Sequence, residues 1–183
     1  MLIVEGTDGV GKTTLAHELC RRLPGWVYSH FSRLPDEFHR YHDYLPFMAR
    51  RQVMDRFHMS EIAYAEARGD EQIQFPEQYK LLDARLRLFG AYTVVVTATN
   101  AVLEATYHDK QMYDLALIKR ANVVFQRIVS KPTYVDWDCV IVAERDHFPS
   151  DSPLVDQIVE DYLQRQSLIT TLNGGNCREP LSR

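Results

Sequence analysis

Residues Gly6 to Thr13 spell a complete G-x-x-x-x-G-K-[ST] pattern, and they restrict the fold more than any other stretch. Leu2-Ile3-Val4-Glu5 leads into the pattern as a strand, and Leu15-Ala16-His17-Glu18-Leu19-Cys20 leaves it as a helix. In that setting the glycines let successive backbone N–H groups turn inward as an anion nest. The helix N-terminus adds its dipole at the same point. Gly6, Thr7, Asp8, Gly9, Val10, Gly11, Lys12, Thr13 and Thr14 are therefore the expected ATP-binding residues. Lys12 reaches toward the β- and γ-phosphates, and the Thr13 hydroxyl is placed to ligate Mg²⁺.

A chain of 183 residues is long enough for one domain with its own core. Its net charge of −4 argues against a surface that coats nucleic acid broadly, while leaving room for a local basic groove. Cys20, Cys139 and Cys177 have no metal-ligand spacing and read as reduced thiols. The start carries no basic signal-peptide region, and runs such as Val94-Val95-Val96 are too short to span a bilayer. The expectation is a cytoplasmic protein with no membrane partner.

Further along, apolar spacing predicts a helix over residues 12–23 and strands at Trp26 to Phe31 and at Gln52 to Met54. Pro35 opens a helix that Pro46 interrupts, and another helix carries Ile62, Ala63 and Ala67 up to Gly69. Pro76 starts a helix that Gly90 stops, and Tyr92 to Ala98 reads as a strand buried on both faces. Asn100 is expected to cap a short helix, and Leu115 to Val129 form a long amphipathic one. Cys139 to Ala143 is a fifth strand, and Asp151 or Ser152 caps the last helix. Five apolar strands alternating with helices predict an α/β fold, a P-loop NTPase-type three-layer sandwich on a five-stranded parallel sheet. One domain is expected over residues 1–169, with a flexible tail over 170–183. Ligands of such a sheet bind beyond the carboxyl ends of its strands.

That rule draws notice to Asp55-Arg56 at the end of the third strand. A carboxylate there either holds Mg²⁺ through water or takes a proton from an acceptor hydroxyl. The adjacent guanidinium suits a phosphate. A solvated surface ion pair is the competing reading. His30, at the end of the second strand, is a further candidate base, and Asp8 stays open beside them. His30, Arg33, His39, Arg40, His42, Arg50, Arg51, Arg56 and His58 are interleaved with Phe31, Phe38, Tyr41, Tyr44 and Phe57. Such a mixture suits gripping a nucleic-acid backbone and stacking a base, although a helix with one solvated face produces the same composition. No histidine pair here has i, i+4 spacing with a supporting carboxylate, so a zinc-type site is not expected.

Two stretches resemble the thymidylate kinase-like group of P-loop kinases. Glu5-Gly6-Thr7-Asp8-Gly9-Val10-Gly11-Lys12-Thr13-Thr14 is similar to that group's phosphate loop, including Asp8. Asp55-Arg56-Phe57, Ser60 and Ala63-Tyr64 resemble its D-R-[YF]-x-x-S-x-x-A-Y motif. The likeness runs from residue 1 to about 165 and is specific in these two motifs. It implies an ATP- and Mg²⁺-dependent kinase with Lys12, Asp55 and Arg56 as catalytic residues and Thr13 and, through water, Asp55 at the metal. Carried over by position, Arg56 would hold an acceptor phosphate and Asp8 a sugar hydroxyl; with the strand-end and basic-aromatic readings above, the candidate acceptor residues are Asp8, His30, Arg50, Arg56, Phe57 and Tyr64.

Three departures from the group stand out. Glu61 replaces a small residue, the segment between strands two and three is short, and the lid from Thr106 to Asp114 has no arginine. Lys110 is the lid's cation, with Arg120 on the helix beyond. A lid so poor in cations suits an acceptor that is a hydroxyl rather than a phosphate. The compact plan is similar to phage-encoded members, some of which phosphorylate 5-hydroxymethyluracil in DNA. The expected partners are ATP and a pyrimidine acceptor, either hydroxymethyluracil-containing DNA or a free deoxynucleotide such as thymidylate, and a homodimer is left open.

Overall fold

Strands form where the sequence has short apolar runs, and all of them point the same way. The computed structural model describes residues 1–31, 44–70, 76–108, 112–131, 135–144 and 152–172. Its strands are β1 (Leu2–Gly6), β2 (Val27–His30), β3 (Gln52–Asp55), β4 (Tyr92–Ala98) and β5 (Cys139–Ala143). They build one parallel sheet in the order β2-β3-β1-β4-β5. Register places Val4 beside both Asp55 and Val94, and His30 beside Asp55. β1 is thus central, and the chain crosses from β3 over β1 to reach β4. Such a switch point opens a crevice at the carboxyl ends of the strands.

Six helices connect the described strands: α1 (Lys12–Arg22), α2 (His58–Arg68), α3 (Pro76–Leu88), α4 (Asn100–Thr106), α5 (Leu115–Ser130) and α6 (Pro153–Leu172). Side chains alternate across a strand, so each strand feeds two cores. Leu2, Val4, Val94 and Val96 pack with Leu15 and Leu19 of α1 and Val155 and Ile158 of α6. On the other face Val95 packs with Met59 and Ala63 of α2 and Ala121 and Phe125 of α5. Ile3 and Met54 meet Leu82 and Leu86 of α3, together with Phe57. The result is the three-layer α/β/α arrangement expected of the pattern.

Most element boundaries among the described residues fall within two residues of expectation, and one cap differs instructively. The short helix α4 is capped by Thr99, whose side chain accepts from the Val102 N–H, rather than by Asn100. A hydroxyl one residue earlier already satisfies an orphan donor, so Asn100 enters the helix. Helix α6 runs from Pro153 to Leu172. The helix expected from Pro35 falls in residues 32–43, outside the described residues, and a 3₁₀ turn at Leu45–Phe47 leads on toward β3. Cys20 and Cys139 are free thiols, while Cys177 lies outside the described residues. No helix among the described residues is long and apolar enough to cross a membrane.

Gly6 is held hard against the neighbouring strand. It closes β1 at φ +142°, and a Cβ there would lie 2.1 Å from the Val96 carbonyl oxygen of β4. Gly6→Ala is therefore expected to cost about 2–3 kcal/mol from backbone strain and forced strand separation. Thermal denaturation of the purified variant checks this, and an unchanged midpoint would contradict so close an approach of β4 to Gly6.

Candidate active site

The phosphate loop folds as its sequence requires. Gly11 sits in the left-handed region at φ 82°, which only glycine adopts freely, and it hands the chain directly into α1. A cavity of about 350 Å³ opens over the loop, lined by Asp8, Gly9, Gly11, Lys12, Thr13 and Thr14. Thr106, His108 and Met112 form its far side. The other expected loop residues act from beneath. Val10 is fully buried in the core. The Thr7 hydroxyl donates to the Ile118 carbonyl at 3.1 Å and lies 3.3 Å from the Tyr64 hydroxyl.

Lys12 is buried, donates to the Thr7 carbonyl, and lies 3.6 Å from Asp8. Burial, assisted by the neighbouring Arg56, pushes its ammonium down to about 8 against the pull of Asp8, Asp55 and Glu5. An anion arriving in the cavity restores the missing partner and holds the charged form.

Asp55 gathers three donors on one oxygen. Its Oδ2 accepts from the Thr13 hydroxyl at 2.6 Å and the Tyr28 hydroxyl at 3.1 Å, with His30 Nδ1 at 3.3 Å. Burial alone would raise this carboxyl, but Lys12, Thr13 and His30 outweigh it and hold Asp55 below its usual range. Asp55 Oδ1 is buried and has no partner among the described residues. A hydroxyl from the loop beside an ionised carboxylate with an orphaned oxygen fits a hydrated Mg²⁺. Thr13 would ligate it directly and Asp55 through water. Such an ion would supply positive charge beside the loop cavity.

Arg56 comes next in the chain, in the left-handed region at φ 69°, pinned by its N–H to the Val4 carbonyl at 2.9 Å. This turn aims the guanidinium at Asp8, with which it forms an ion pair, and over the Tyr64 ring at 5.8 Å. Its Nε is buried without a partner among the described residues. Tyr64 in turn receives the Asp8 N–H on its hydroxyl at 3.0 Å and stacks on Tyr113. Arg56 and Met112 border both the loop cavity and a second cleft of about 230 Å³. Phe31, Tyr44, Phe57, Tyr64 and Tyr113 give that second cleft aromatic walls, with His30, Ser60, Glu61 and Arg68 at its polar positions. Tyr44 is anchored by donating to Glu61 at 2.7 Å.

Among the expected acceptor residues, Asp8, His30, Arg56, Phe57 and Tyr64 come together here. Arg50 does not. It precedes β3, and its charge bears on the α-ammonium of Met1 and the phenol of Tyr162 at the other edge of the sheet. In a parallel sheet, residues entering strands and residues leaving them lie on opposite edges. Arg51 shares that edge, its carbonyl accepting from the Val27 N–H. Arg120 donates to the Ala67 carbonyl at the end of α2. Lys110, Arg33, Phe38, His39, Arg40, Tyr41 and His42 lie outside the described residues. His58 belongs to the core, where burial holds its ring neutral with a pKa near 3. Glu5, Tyr28, Ser60, Arg68, His108, Met112 and Tyr113 were not singled out from sequence as site residues. Ser60 stands in the second motif and His108, Met112 and Tyr113 in the expected lid, while the signal for Glu5 is a carboxylate inside an otherwise apolar strand.

No family model matches the chain, and no curated protein matches it. Among solved structures, the YorR protein of Bacillus subtilis in complex with phosphorylated GDP superposes with a TM-score of 0.70. The match covers 90% of this chain and 97% of that one at 19% identity. It shows a shared fold, consistent with the P-loop NTPase-type α/β architecture.

Proposed function

We propose that the chain is an ATP-dependent phosphotransferase that moves the γ-phosphoryl group across the Arg56 boundary from the loop cavity to an acceptor in the aromatic cleft. The nucleotide held by the YorR neighbour supports a nucleotide over the loop. In this reading Lys12 and the loop amides hold the donor phosphates, Thr13 and Asp55 hold Mg²⁺, and Arg56 steadies the group in transit. Asp55 takes the acceptor proton, with His30 and Asp8 in reach as alternatives.

For the acceptor we favour a neutral hydroxyl on a pyrimidine, the 5-hydroxymethyl group of 5-hydroxymethyluracil in DNA. The observation that carries this choice is charge. Among the described residues, the two arginines lining the cleft have carboxylate partners, Arg56 with Asp8 and Arg68 with Asp70 at 2.7 Å, and Glu61 adds a further negative group. A dianionic phosphate entering there would meet little uncompensated positive charge from the described residues. The cleft fits a single base between aromatic rings, so a base in a duplex has to be extruded to reach it. Arg50 and Arg51 enter β3 from the end of the sheet opposite the cleft.

The second reading is a thymidylate or deoxynucleoside-monophosphate kinase, favoured by the unpartnered Arg56 Nε between the two cavities, a donor suited to an acceptor phosphate. Radiolabelled ATP separates the two. Label should enter hydroxymethyluracil-containing DNA, with weaker transfer as salt rises. Efficient ADP formation with free dTMP and no labelled DNA would promote the second reading.

A further inference from the structure

Glu5 takes no part in the chemistry above, yet it is fully buried in β1 one residue before the phosphate loop. One of its oxygens accepts from the Met59 N–H at 2.8 Å. The other accepts from the Ser60 N–H at 3.1 Å and from the Ser60 hydroxyl. These amides are first-turn donors of α2, which have no partner within the helix. Phe57 stands at the cap position of α2 with no side-chain hydrogen bond to offer. A carboxylate from another element therefore caps the helix that carries Ser60, Glu61, Tyr64 and Arg68 into the acceptor cleft.

We infer that Glu5 is a positioning residue coupling the phosphate loop to the acceptor wall: ionised, it fixes the start of α2, and its protonation loosens acceptor binding while leaving the donor loop in place. The inference rests on the phosphotransferase reading for its kinetic consequence. The donor loop is held independently of α2, by the close contact of Gly6 with β4 and by the Thr7 hydroxyl donating to the Ile118 carbonyl of α5. Burial pushes the Glu5 carboxyl up to about 7, against the bonds from Ser60, Phe57 and Met59 that favour its charged form. The groups bearing on it are Lys12 from α1, Tyr44 before the 3₁₀ turn, and Ser60 from α2. His58, next to Met59, stays neutral through this range, and Tyr44 titrates far above it. Lys12 titrates near 8, on the donor side, so donor and acceptor KM have to be followed separately.

The sign for stability runs opposite to the sign for acceptor binding. A carboxyl raised from its ordinary 4.5 to about 7 binds its proton more tightly when folded. Its contribution to stability is full below 4.5 and lost as pH rises to about 7. Acceptor binding improves across the same interval, because the charged form is the better cap.

The test combines wild type with Glu5→Gln, which keeps shape and one acceptor oxygen. Carbon NMR of the Glu5 carboxyl should give a midpoint near 7. Exchange protection of the Met59 and Ser60 amides, corrected for intrinsic rates, should fall below that midpoint. The acceptor KM should rise about tenfold at acid pH, the loss of one charge-assisted hydrogen bond, with the ATP KM unchanged. Glu5→Gln should show the raised acceptor KM at every pH, with a melting temperature at neutral pH no lower than wild type. A merely structural Glu5 gives the reverse: a less stable variant whose folded fraction keeps its acceptor KM. That result, a midpoint near 4.5, or pH-independent protection of residues 59–60 would overturn the inference. Transfer to no acceptor at all would instead overturn the phosphotransferase reading, and the NMR and exchange results would then decide the role of Glu5.

Discussion

Lys12→Ala is expected to lower the rate of phosphoryl transfer by a hundredfold or more while the protein remains folded. A preorganised cation at developing charge in a water-poor site is worth about 3–4 kcal/mol of barrier. Lys12 fits that role because it is buried at the floor of the loop cavity, with its ammonium held down to about 8 chiefly by the cost of burial. On the proposed reading the donor phosphates would supply the compensating charge, so removal would be felt most when charge builds in transfer. The fold should survive, since the glycine turns and the packing of Val10 and Leu15 do not depend on the ammonium. The same shift predicts that affinity for ATP declines as pH rises through about 8, where the free enzyme loses the Lys12 proton. Initial rates with ATP, alongside circular dichroism, check the variant. Near-normal turnover by a folded Lys12→Ala protein would refute the assignment of this loop to the donor.

Asp55→Asn should also reduce turnover about a hundredfold, with a different signature. The amide retains an oxygen for Thr13 and Tyr28 but removes the charge that the metal and the acceptor proton both require. Half-maximal rate should therefore need a higher Mg²⁺ concentration, while ATP binding without metal changes little. Because Asp55 is held below its ordinary range, its ionised contribution is full at neutral pH. That contribution is lost only as pH falls through the depressed value. A neutral-pH rate profile should be insensitive to Asp55 titration in wild type. Titration of Mg²⁺ at saturating ATP makes the test, and an unchanged Mg²⁺ requirement would remove Asp55 from the metal site.

Local backbone patterns were legible from the residues alone. Gly6 to Thr13 needs a strand before it and a helix after it, and both are there because Leu2, Ile3 and Val4 pack in the sheet while Leu15 and Leu19 repeat at helical spacing. The strand at Tyr92 to Ala98 reads as doubly buried, and every residue of it is buried. Asp55 and Arg56 were placed at a strand end by the same reasoning, and the loops after β1 and β3 do converge.

Periodicity cannot supply which elements become neighbours. It gives each residue a face, but the partner across that face depends on strand order and register. The placement of β3 beside β1 puts Tyr28, His30 and Thr13 around one oxygen of Asp55. It also puts Arg50, so close in sequence to Arg56, on the far edge of the sheet. Tyr64 and Glu5 tie the loop to α2 across more than fifty residues of chain, through bonds that no local pattern encodes. The sequence by itself determined the phosphate loop, the strands and the helices, because those depend on backbone conformation and spacing over a few residues. Only the tertiary structure decided the surroundings of Asp55, the aromatic cleft and the cap on α2, because buried polar groups take whichever partners the assembled sheet brings within hydrogen-bond reach.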